Sequence, residues 1–145
     1  MASAVATCIT GEPRTFAMPF VHLRLLRTVR EWKSDTYFVF PARTAAANVT
    51  PFGYAVTHCQ HSQAAIDLFK PAGVQLWRPS NLGESRSAAW AQLGQWSACH
   101  AMAARRRPRY GILARLRPDF AVMAPAPLPL LADLRAARPG SLSPR

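Results

Sequence analysis

Tyr110-Gly111-Ile112-Leu113-Ala114-Arg115-Leu116-Arg117-Pro118-Asp119-Phe120 is the stretch on which the fold reading turns. Its apolar residues read as a sheet strand to Arg117, with charges set where apolar side chains are expected. Side chains alternate along a strand, so Arg115, Arg117 and Asp119 share one face and Ala114, Leu116 and Pro118 the other. Pro118 has no N–H for the ladder, so it marks the strand's end and leaves Asp119 at the rim. Charges on a buried strand are costly without partners, which points to a ligand or a tight internal network. An ionised aspartate can hold a divalent cation, and arginines can hold the oxygens of a diphosphate. The structural alternative is an arginine–aspartate pair that ties the strand to its neighbour.

Working back along the chain, a helix is expected from about Ser87 to Arg105, with Ala89, Leu93, Trp96, His100 and Ala103 as its buried stripe. Arg105, Arg106 and Arg107 sit at its end, where positive charge complements the helix dipole, and Pro108 stops it. Val74 to Trp77 reads as a strand. Ser62 is expected to cap a short helix through Ile66 and Phe69, ended by Pro71 and Gly73. Residues 42 to 61 read as a loop with a short extended piece near Tyr54-Ala55-Val56. Thr36 to Phe40 is an aromatic, β-branched strand closed by Pro41.

Pro19 suits the first turn of a helix, whose expected core stripe is Phe20, Leu23, Leu26, Val29 and Trp32, with Arg27 and Glu31 able to pair outside it. Ala4 to Thr10 reads as a buried strand closed by Gly11. Four strands alternating with three helices imply an α/β fold: a Rossmann-like, mainly parallel sheet with helices on both faces. The expected domain runs from 4 to 123. A Pro/Ala/Arg-rich segment follows from 124 to 145, partly helical or loose.

Ligands of such sheets collect beyond the carboxyl ends of the strands. Besides the Arg115–Asp119 stretch, the turn Gly11-Glu12-Pro13-Arg14-Thr15 arrives there. Gly11 permits an unusual backbone angle, Arg14 offers a forked donor and Thr15 a hydroxyl, a set suited to phosphate at a helix start. The spacing is neither that of a P-loop nor that of a dinucleotide fingerprint.

The net charge of +11 favours anionic partners: nucleic acid, nucleotide, phosphate or an acidic surface. Lys33 and Lys70 are the only lysines and alanine is abundant, so the alternative reading is that most of that charge reflects the coding bias of a GC-rich genome. No nucleic-acid-binding motif is present, and charge alone would support a basic nucleic-acid-binding module. Cys8, Cys59 and Cys99 are widely spaced and odd in number, which suggests no disulfide framework and a reduced compartment. Cys59 lies near His58 and His61, and Cys99 beside His100, as zinc ligands can; adjacent helical side chains, however, diverge by ~100°. No apolar run approaches the ~18–20 residues of a membrane span, so the chain as it stands is expected to be soluble.

Three segments together resemble poorly characterised glycosyltransferase-like proteins of the GT-A, nucleotide-diphospho-sugar transferase class. They are the strand and turn Cys8-Ile9-Thr10-Gly11-Glu12-Pro13-Arg14-Thr15-Phe16, the helix carrying Gln95-Trp96-Ser97, and the strand ending Arg115-Leu116-Arg117-Pro118-Asp119. The resemblance runs from Val5 to about Leu134, and Arg-x-Arg-Pro-Asp is its most specific part. It implies the donor-binding half of a GT-A-like domain, a nucleotide-diphospho-sugar donor, an acceptor, and hexosyl transfer between them. Arg14 would contact the nucleotide or diphosphate, Arg115 and Arg117 would flank the diphosphate, and Asp119 would be the acid that holds Mn or Mg. The sequence departs from the class in that Phe120 and Ala121 follow Asp119, so no second acid completes an Asp-x-Asp pair. Glu84 and Asp133 are the remaining acids nearby in sequence, and neither is assigned as a base. The pattern therefore fits a truncated or inactive relative as well as a transferase. An anchor upstream would place the domain in the Golgi or another endomembrane lumen.

Overall fold

The computed structural model describes residues 5–13, 15–41, 59–78, 88–106 and 110–119. The expected extended piece at Tyr54–Val56, Arg14, Arg107, Glu84, Asp133 and the segment 124–145 lie outside them. Seven elements follow in the order β1 (Val5–Thr10), α1 (Pro19–Glu31), β2 (Asp35–Pro41), α2 (Cys59–Asp67), β3 (Gly73–Trp77), α3 (Ala88–Arg106) and β4 (Ile112–Leu116). The four strands form one sheet in the order β3-β2-β1-β4, and every neighbouring pair is parallel. The expected α/β class and parallel sheet are thus present, in an arrangement compatible with a Rossmann-like fold. No helix among the described residues is long and apolar enough to cross a membrane.

Alternation along the two central strands sorts the core into two layers. Ile9, Phe38 and Phe40 face α1 and α2 and join Phe16, Leu25, Val29, Ile66 and Phe69. Ala6, Cys8, Tyr37 and Val39 face α3 and join Cys99 and Ala103. Helices therefore cover both faces. Successive crossovers carry the chain from β1 to β2 to β3 on one face, then back past β1 to β4 on the other. Crossovers of one hand require this: reversing direction along the sheet moves the helix to the opposite face.

The expected helical stripes are met in part: Leu26, Val29, Trp32 and Ala103 are buried as expected, and the other positions are shifted. On α1, Phe20 and Leu23 are exposed at 57% and 50%, while Val21, Leu25, Leu26, Val29 and Trp32 are buried. Leu residues at 23, 25 and 26 satisfy either stripe, and only packing on Phe16 and Phe38 decides between them. Arg27 does pair with Glu31, at 2.8 Å on the surface. On α3, Leu93 and His100 are exposed, and the buried side presents Gln95, Cys99 and Ala103. Ser62 lies inside α2, which begins at Cys59 rather than at a serine cap.

Cys8 and Cys99 form a disulfide with their Cα atoms 6.0 Å apart. This corrects the expectation of unpaired cysteines in a reduced state. Partners separated by 91 residues become neighbours only when α3 lies across β1, so spacing gives no hint of the bond. The helix also approaches β3 closely, because a Cβ on Gly94 would fall 2.4 Å from Trp77 Cζ2.

At the amino ends of the strands, the Tyr110 hydroxyl donates to Asp35 Oδ2 at 2.5 Å. With that proton committed, the buried Tyr37 hydroxyl donates to Tyr110 across 3.0 Å. Burial, followed by the hydrogen bond to Asp35, pushes the Tyr110 phenol well above its ordinary range. These contacts hold the start of β4 against β2.

Candidate functional site

The chain leaves β1 toward β2 and later returns to β4 on β1's other side, so the strand order reverses between β1 and β4. Such a switch point opens a crevice at the carboxyl ends of the two strands, where α/β sheets hold ligands. Two turns meet here. One runs from Thr10 to Thr15 after β1, the other from Arg117 to Asp119 after β4.

Both turns are positioned from below. Phe16 is fully buried and packs at 5.6 and 5.8 Å on Phe38 and Phe40, and its carbonyl accepts a 2.9 Å hydrogen bond from His22 Nδ1. This anchors the far end of the first turn. At its near end Gly11 has φ +132°, a backbone that side-chain-bearing residues rarely adopt, and its missing Cβ would lie 3.3 Å from Pro118 Cδ. Pro118 is itself buried. Thr15 Oγ1 donates to the Asp119 carbonyl at 3.2 Å, closing the gap between the turns.

Arg115 stands opposite Cys8 in the β1–β4 register, on the α3 side of the sheet. Its Nε donates to Thr10 Oγ1 at 3.0 Å and its Nη2 to Gln92 Oε1 at 3.2 Å. The residue as a whole is exposed. A guanidinium held on two sides and open to solvent is pre-oriented for an anion, with less rotamer freedom left to lose on binding.

Arg117 and Asp119 behave differently. Arg117 Nε and Nη2 donate to the two carboxylate oxygens of Asp119 at 2.9 and 2.8 Å, a bidentate fork. That hydrogen bonding raises the Arg117 pKa further above its ordinary value. The expected single face carrying Arg115, Arg117 and Asp119 is accordingly split. β4 ends at Leu116, the alternation ends with it, and the last two residues fold onto each other in a turn. The strand is also half-exposed rather than buried, since β4 is an edge of the described sheet.

Of the residues marked from sequence, Gly11, Thr15, Arg115, Arg117 and Asp119 all meet at this crevice, and Arg14 lies outside the described residues. Thr10 and Gln92, which hold Arg115, went unmarked. Thr10 reads as one more residue of a β-branched run, and nothing in a helical amide signals an arginine 23 positions away. Among the described residues no three His, Cys, Asp or Glu side chains converge as a metal site, and Cys99 is committed to its disulfide. Asp119 supplies one carboxylate, already engaged by Arg117. It suits a Mg- or Mn-type ion only where a ligand's phosphates supply further oxygens. Comparison with protein-family models, curated proteins and solved structures finds no match to this chain.

Proposed function

We propose that the switch-point crevice binds the diphosphate of a nucleotide-diphospho-sugar, and that the chain is a glycosyltransferase-like donor-binding domain. The observation that carries this reading is Arg115, exposed at the crevice and steadied by Thr10 and Gln92. The resemblance of the three segments around it to transferases of the GT-A class supports the same reading.

In this reading Arg115 meets a diphosphate oxygen, Thr15 lies beside the same group, and Arg14 would contact it as the resemblance implies. Asp119 would hold a divalent cation together with the diphosphate, releasing Arg117 from its fork to take a phosphate oxygen. The cation, when bound, would offset charge developing on the departing nucleoside diphosphate as the sugar passes to an acceptor hydroxyl. The site's own contribution is to bind and orient the leaving group.

Calorimetric titration with UDP- and GDP-sugars, with and without manganese, tests the proposal. Binding should weaken about tenfold or more in Arg115→Ala, as expected for loss of a charge-assisted contact. Absence of binding to every nucleotide sugar would sink the reading. A manganese response that survives unchanged in Asp119→Ala would remove the metal from it.

A further inference from the structure

Gln95 is only 3% exposed, and its Oε1 has no hydrogen-bond partner among the described residues. Such an acceptor has given up water and received nothing in return. A leucine of similar size would fill the same place without that penalty. The position is informative. On α3, Gln95 lies between Gln92, which holds Arg115, and Cys99, which is bonded to Cys8. Gln92 reaches Arg115 and Cys99 reaches Cys8, residues that stand opposite each other in the β1–β4 register, so the two anchors bracket Gln95 beside that strand pair. The Arg115 guanidinium donates to Thr10 and Gln92 and makes no bond to the Gln95 oxygen.

We infer that Gln95 is a specificity-determining residue of this crevice, whose carboxamide oxygen accepts a hydrogen bond from an uncharged N–H or O–H donor on the ligand. The inference rests on the proposed binding of a nucleotide diphosphate and adds a second recognition element to it. Arg115 answers the charge; Gln95 answers a neutral donor on the same molecule. A base imide and a sugar hydroxyl share that chemistry. Sites that hydrogen-bond a ligand group discriminate strongly against analogues lacking it, because the buried partner is then left unpaired.

The test uses the full chain, wild type and Gln95→Leu, with Gln95→Met as a second apolar replacement. Affinities are measured for pyrophosphate, ADP, UDP and UDP-glucose alongside thermal stability. In the wild type the ligand that carries the donor (UDP for a base imide, UDP-glucose for a sugar hydroxyl) should bind about tenfold or more tightly than the one that lacks it (pyrophosphate or UDP respectively), and either variant should remove that advantage while leaving pyrophosphate within about twofold. The melting temperature should rise at the same time. Function and stability then move in opposite directions, which a purely structural glutamine would not produce. A loss for UDP and UDP-glucose but not ADP assigns the donor to the imide; a loss confined to UDP-glucose assigns it to the sugar. Unchanged affinities for all four ligands in a more stable variant overturn the inference and leave the proposed function standing. A wild type that binds none of the four, and no GDP-sugar either, overturns both.

Discussion

The two ends of the sheet use similar chemistry to opposite effect. At the amino rim Tyr110, Asp35 and Tyr37 direct their polar atoms to one another, with Tyr37 fully buried and Tyr110 and Asp35 half-buried around it. At the carboxyl rim Arg115 is also tied by two hydrogen bonds, yet it remains exposed. One end of β4 is a lock and the other is a platform. The difference teaches how to separate charge that serves the fold from charge that is offered outward. Count partners first, then ask whether solvent still reaches the group.

The disulfide spans the ground between the rims, and breaking it should have the largest effect. Cys99→Ala or reduction should cost about 2–5 kcal/mol, because the bond closes a long loop and pins α3 to β1. A denaturant titration measures it. Retention of full stability would mean that α3 is held by packing alone. Gly11→Ala comes next, at about 1–3 kcal/mol, since the substitution meets both an unfavourable φ and the ring of Pro118. Its effect should reach the carboxyl rim specifically, weakening ligand binding beyond what the loss of stability explains.

Tyr110→Phe should cost about 1 kcal/mol by stripping Asp35 of a donor, and should leave ligand binding unchanged. The pH dependence sharpens the point. The folded phenol titrates above its unfolded value of about 10, so its contribution is complete below that pH. It is lost as pH rises further and the unfolded state ionises. Melting temperature in the wild type should therefore fall more steeply above pH ~10 than in Tyr110→Phe. Equal slopes would show that the lock does not couple to ionisation. Arg115→Ala should have the smallest effect on stability, within about 0.5 kcal/mol, as for an exposed side chain. A large loss there would erase the distinction between the rims and recast Arg115 as structural.

Much of the fold was legible in the sequence. The β-branched and aromatic runs at Val5–Thr10 and Asp35–Pro41 mark buried strands by local chemistry, and proline at 19 begins a helix where it was expected to. The helical faces were less legible. Leu23, Leu25 and Leu26 support two stripes, and Gln95 is a polar residue in a buried position that no periodicity would choose. The candidate site was readable in its residues and not in their pairing. Alternation grouped Arg115, Arg117 and Asp119 on one face, whereas the end of β4 keeps Arg117 with Asp119 and leaves Arg115 to Thr10 and Gln92.

By itself, then, the sequence determined the order of strands and helices and the chemistry available at the ends of β1 and β4, because those follow from local propensity and composition. Only tertiary structure decided which cysteines join, which helical face is buried, and which arginine remains open to solvent. Each of these depends on contacts between segments far apart in the chain, such as Cys8 with Cys99 and Arg115 with Thr10, and no local pattern encodes such a contact.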